Sequence, residues 1–96
     1  MVVDHASAFV PTDLQQLGLT EHDLSRHIAY DIGALAVAQR VASHFGATLV
    51  YSTVSRLVID CNRPLNVPGL IPMEGDEGII PGNTEVSPVE IGRAHV

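Results

Sequence analysis

Apolar positions along the first half of the chain change their period twice, and each change marks an element. Met1-Val2-Val3 is a short continuous apolar run followed by Asp4-His5-Ala6-Ser7, the pattern of a buried strand that ends in a small, polar exit loop. Pro11 to Leu19 reads as a connector with one turn of helix at Asp13 to Leu17, closed by Gly18. Thr20 is placed to be an N-cap, because Asp23 falls at the third helical position of a capping box and Glu21 complements the helix dipole. Leu24, Ile28, Ile32, Leu35, Ala38, Ala42 and Phe45 then recur every three or four residues, the stripe of a helix packed on a core, and Gly46 is its expected stop. Gly33 lies inside that stripe at a cost of about 1 kcal/mol against Ala, which leaves room for a kink or break near Asp31 to Gly33.

After the helix the period shortens. Ala47 to Ser52 reads as a strand and Leu57-Val58-Ile59 as a second, short one. Strand, helix, strand is the order of a parallel sheet, which needs layers on both faces. One helix and about three strands do not supply them, so an α/β fold is expected here in incomplete form. From Arg63 onward the chain holds all but one of its six prolines, with Gly69, Gly75, Gly78 and Gly82 among them. A loop of that length is expected to line a site or to wait for further structure to pack on.

Composition narrows the partners. The 96 residues are 46% hydrophobic with a net charge of -6, and all five basic residues are Arg. A globular piece fits this better than a disordered one, and nothing forms a basic stripe for nucleic acid. No run is long enough to span a membrane, and the single cysteine, Cys61, has no internal partner, so a reducing cytoplasm is the expected compartment.

Three clusters carry candidate chemistry. His5 sits at a strand exit, where α/β proteins keep their ligands, and a neighbouring carboxylate such as Asp4 can set its tautomer; it can equally be a structural histidine. Asp23, His27 and Asp31 are spaced four apart, so an unbroken helix aligns them on one face, as metal donors or as an ordinary solvated row. Arg56 and Arg63 flank the apolar Leu57 to Ile59 run, with Asn62 beside them. Paired guanidinium donors suit a carboxylate and the Asn amide an acyl oxygen, while the plainer reading pairs the arginines with Asp60 or Asp31.

In chain order stand Asp-His-Ala-Ser from Asp4, Arg-His-Ile-Ala-Tyr-Asp-Ile-Gly-Ala from Arg26, Ser-Arg-Leu-Val-Ile-Asp-Cys-Asn-Arg-Pro from Ser55, and Ile-Pro-Gly-Asn from Ile80. This succession resembles the N-formylglutamate amidohydrolase family. The resemblance implies a three-layer α/β/α sandwich of the phosphorylase/hydrolase type, shared with aspartoacylases and metallocarboxypeptidases. It implies a zinc-dependent hydrolase that converts N-formyl-L-glutamate, or a similar N-acyl amino acid, to formate and glutamate. His5 is then the first zinc ligand, with Asp31 and His27 as further metal-side groups. The Asp60-Cys61-Asn62-Arg63 segment is similar to the aspartoacylase signature in which Asn and Arg address the substrate, and Arg56 takes a carboxylate from the other end. One departure stands out: aspartoacylases place Glu three residues after the first His, where this chain has Ala8.

The resemblance implies an N-terminal part of one domain over residues 1–90, inactive by itself, with the general base and remaining ligands further along a longer chain. Residues 91–96, Ile-Gly-Arg-Ala-His-Val, match the translation of a common sequencing adapter and are expected not to be native. Competing expectations are an aspartoacylase-like or carboxypeptidase-like hydrolase, a non-catalytic carboxylate-binding module built on Arg56 and Arg63, and a fragment that does not fold stably.

Overall fold

The N-terminal apolar run forms β1 (Val2–Val3), which pairs in parallel with β2 (Val50–Tyr51), Val2 opposite Val50 and Val3 opposite Tyr51. Backbone bonds from Val50 N–H to Met1 O at 3.0 Å and from Ser52 N–H to Val3 O at 3.1 Å hold the pair together. The computed structural model describes residues 1–64, 67–75 and 78–84, and the expectation for residues 91–96 lies outside them. Helix and strand are thus mixed around a parallel pair, as an α/β chain requires. No helix among the described residues is long and apolar enough to cross a membrane.

The capping box forms as the residue types dictate. Thr20 Oγ1 accepts from Asp23 N–H at 3.1 Å and an Asp23 carboxylate oxygen accepts from Thr20 N–H at 3.3 Å, starting α1 (Glu21–Leu24). The bond from the Thr20 backbone, with the Thr20 hydroxyl and the nearby Arg26, holds the Asp23 carboxyl below its ordinary pKa. The helix then ends after four residues, where the apolar stripe predicts a longer one. Turns run from Ser25 to Gly33, and α2 (Ala34–Phe45) starts afresh behind Gly33 at φ 81°, a left-handed conformation open to glycine at little cost. Ala29 is fully buried and Ile28 packs on the core from this turn region, so the periodicity reported core contact without a helix beneath it. At its far end α2 stops at Gly46, as expected.

Leu57-Val58-Ile59 is core but not strand. Leu57 and Val58 are buried in a turn whose Val58 N–H returns to Ser55 O at 3.0 Å, while the Leu57 carbonyl accepts from the Asn83 side chain at 2.7 Å. The backbone finds its partners in a turn and an amide side chain, so no ladder is needed. The Pro- and Gly-rich region is likewise not structureless. It contains 3-10 turns at Pro68–Leu70 and Pro81–Asn83 and a hairpin of β3 (Glu74–Gly75) with β4 (Gly78–Ile79).

The 3-10 segment Thr12–Gly18 packs against the segment Pro81–Asn83. Gln15, Gln16 and Leu17 all adopt left-handed φ values of 49°, 55° and 54°, a conformation that costs about 1–2 kcal/mol per non-Gly residue. That twist drives Leu17 into the core cluster of Val10, Ala29, Leu57, Val58 and Ile80. Gly82 lies so close that a Cβ there would stand 2.5 Å from the Leu17 Cα. Asn83, also buried, locks the contact by donating to Leu57 O and Pro72 O, each at 2.7 Å. The Ile-Pro-Gly-Asn segment is therefore a clasp across the core.

Candidate functional site

β1 delivers His5 to its carboxyl-terminal exit, where its side chain is only 11% exposed. Its neighbour Asp4 is not the group that holds it. His5 Nε2 meets Asp60 Oδ1 at 2.6 Å, a contact between residues 55 apart in sequence. On the other side of the ring, Nδ1 stands 3.4 Å from Asp31 Oδ2. Asp31 is brought there by a backbone bond from its N–H to His5 O at 2.8 Å, and not by a common helix face with Asp23.

Each carboxylate divides its oxygens between the histidine and an arginine. Asp31 turns Oδ2 toward His5 and pairs through Oδ1 with Arg56 Nη2, which also donates to His27 O at 3.0 Å. Asp60 uses Oδ1 for His5 and for the Asn62 N–H at 3.0 Å, and faces Arg63 Nε with Oδ2 at a looser 3.8 Å. The result is a continuous row, Arg56–Asp31–His5–Asp60–Arg63. The plain expectation that both arginines find internal carboxylates is thus met, tightly for Arg56 and loosely for Arg63. Arg63 remains 60% exposed, and Arg56 Nε is buried with no hydrogen-bond partner among the described residues.

Burial alone would raise the Asp60 pKa, but the hydrogen bonds from His5 and Asn62 N–H, with the Arg63 charge, outweigh it and leave the carboxyl below its ordinary value. A pKa lowered by folding gives stability that is present above the unfolded value of about 4 and is lost as pH falls through the folded one. Acid titration of folding should therefore show a loss of stability below about pH 4 that is smaller in Asp60→Asn. Parallel pH profiles for the two proteins would show that Asp60 is not a linked group.

A hollow of about 330 Å³ opens beside this row, lined by His27, Arg56, Asp60, Arg63, Gly69 and Glu74 among others. That is the lower end of the range for small-molecule sites. His27 is exposed and contributes to this wall. Asn62 is exposed, and its side chain is not among those lining the hollow. Two groups in this region take positions that the sequence-based reading does not give them. Asp60 was legible as an arginine partner and signature residue, but nothing local links it to His5. Glu74 reaches the wall through a hairpin whose pairing no nearby motif announces.

For a zinc ion, the donors fit in part. Bonds of about 2.1 Å at tetrahedral angles place two ligand atoms about 3.4 Å apart, the spacing of His5 Nδ1 and Asp31 Oδ2 at 3.4 Å. Among the described residues no group of three or more His, Cys, Asp or Glu is placed to hold a metal ion. Ala8, where aspartoacylases carry Glu, packs against the core.

A parallel α/β chain with a carboxylate-held imidazole at a strand exit, beside two arginines, gathers titratable and cationic groups where α/β proteins keep their sites. The family model for N-formylglutamate amidohydrolase matches residues 1–94, and the chain belongs to that family. Among solved structures it is similar to a gene product of Agrobacterium tumefaciens, with 46% identity and a TM-score of 0.92, over 97% of this chain and 37% of that one. The chain thus spans little more than a third of that relative's length. No curated protein matches it.

Proposed function

We propose that this chain supplies the first half of a zinc-dependent amidohydrolase site that removes the formyl group from N-formyl-L-glutamate or a similar N-acyl amino acid. The observation that carries this reading is the pairing of His5 Nδ1 with Asp31 Oδ2, two donor atoms 3.4 Å apart whose other contacts leave them facing each other. In this reading the chain is part of a three-layer α/β/α sandwich of the phosphorylase/hydrolase type. The third ligand and the general base come from the rest of a family-length chain.

His5 and Asp31 would hold the ion, with His27 on the same side of the row as a further candidate. When bound, zinc supplies an acidified water and polarises the acyl carbonyl. Asp60 keeps the proton on His5 Nε2, so that Nδ1 presents its lone pair. Arg56 holds Oδ1 of Asp31 and so directs Oδ2 toward His5, while its place on the wall of the hollow lets the guanidinium attract a substrate carboxylate. Arg63, exposed on the wall of the hollow, takes a carboxylate, and Asn62, outside that wall, would have to turn inward to address the acyl oxygen.

The test is formate release by a family-length protein carrying these residues, assayed against N-formyl-L-glutamate, N-acetyl-L-aspartate and a peptide. The N-formyl substrate should have the highest kcat/KM, and Arg63→Ala should raise KM on the order of 10-fold or more by removing a charged contact. A preference for the N-acetyl compound or the peptide would move the protein to the aspartoacylase-like or carboxypeptidase-like reading.

A further inference from the structure

Charge is unevenly matched around the 330 Å³ hollow. Arg56 is paired with Asp31 and Arg63 faces Asp60, so each arginine on the wall already has a carboxylate beside it. Glu74 is the carboxylate without a counterpart. It is exposed, and among the described residues no hydrogen bond or ion pair engages its side chain. The hairpin fixes its place, since Glu74 lies opposite Ile79 in the β3–β4 pair. Glu74 also belongs to the wall of a second hollow, of about 530 Å³, which shares Gly69 and Pro72 with the first and extends over Met73 and Ile79. It therefore stands where a ligand would pass from the arginine-lined hollow toward an apolar one.

We propose that Glu74 selects the substrate's side chain by charge: it disfavours a second carboxylate beyond the one that Arg63 takes, and favours a carboxamide N–H or a cation in its place. The choice of an amino-acid ligand rests on the amidohydrolase reading. The two arginine–carboxylate pairs are each close to neutral, so Glu74 sets the sign of the field that remains in the hollow. A hollow of 330 Å³ is about 9 Å across, on the order of the ~8 Å Debye length at physiological ionic strength, so salt screens a bound carboxylate from Glu74 only in part. At the effective dielectric of a protein surface, two like charges at that range change an affinity by roughly 5- to 20-fold. A neutral carboxamide escapes this repulsion and can donate to Glu74 instead. Because the Glu74 side chain has no partner among the described residues, its replacement removes charge without removing a contact of the fold.

The experiment titrates a family-length protein carrying these residues with L-glutamate and with L-glutamine, which are nearly equal in shape and differ by one charge. Neither is turned over by formyl removal, so calorimetry reads binding alone. In Glu74→Gln the ratio of glutamate to glutamine affinity should rise at least about 5-fold over wild type at low salt, and the rise should shrink at about 0.5 M salt. Glu21→Gln removes the same charge outside this wall and should leave the ratio unchanged. An unchanged ratio in Glu74→Gln would overturn the proposal, as would an equal shift in Glu21→Gln, a shift that high salt leaves intact, or binding of neither amino acid by the wild type. The kcat/KM ratio for the two N-formyl compounds should move with the binding ratio. A binding ratio that shifts in a protein that releases no formate would defeat the amidohydrolase reading and leave the role of Glu74 standing.

Discussion

Gly82→Ala should destabilise the chain by about 3 kcal/mol, the upper part of the range for overpacking. The new Cβ would stand 2.5 Å from Leu17 Cα and 2.8 Å from Leu17 C, and these are backbone atoms that cannot rotate away. Leu17 is itself held in a left-handed turn with Gln15 and Gln16, so the turn has little freedom to yield without withdrawing Leu17 from the core. For a chain of this size the melting temperature should fall by on the order of 10–20 °C. Gly69→Ala is the control, because a Cβ there would meet only ordinary contact with Arg63 at 3.8 Å. A Gly82→Ala protein that melts with the control would show that the clasp between the two 3-10 segments does not exist.

Asp60→Asn should lower zinc affinity on the order of 10- to 100-fold in a family-length protein, the usual loss when the partner of a metal-binding histidine is removed. The amide keeps the size of the side chain but can present its NH₂ to His5 Nε2, which would draw the proton to Nδ1 and occupy the lone pair meant for the metal. The same substitution weakens the hold on Arg63, whose Nε lies 3.8 Å from Asp60 Oδ2. Zinc competition with a chromophoric chelator measures the first effect, and the KM for substrate the second. An unchanged zinc affinity would assign Asp60 to folding alone.

What the sequence made legible was local. Thr20 and Asp23 are three residues apart, so the capping box needs no tertiary knowledge, and Gly46 marks the end of α2 by conformational freedom alone. The helix expected between the Thr20 cap and Gly46 is interrupted from Ser25 to Gly33, a longer gap than the break expected near Asp31 to Gly33, because Ile28 reaches the core from a turn and mimics helical spacing. Leu57 to Ile59 showed the same ambiguity, since an apolar run states burial and not backbone pairing. At the site, His5, Asp31, Arg56 and Arg63 do converge. The group that joins them does so across 55 residues, and no spacing rule encodes a bond of that kind. Nor does any motif announce that two glutamines and a leucine take left-handed φ values, with Leu17 set in the core against Gly82.

One assignment is central to the proposed site: His5 offers Nδ1 to a metal beside Asp31 while Asp60 holds Nε2. Zinc-edge anomalous diffraction from crystals of a family-length protein tests it directly. A single peak is expected about 2.1 Å from His5 Nδ1 with Asp31 Oδ2 at similar distance, and Asp60 still bonded to Nε2. A zinc peak on Nε2, or one that shares no ligand with His5, would contradict it.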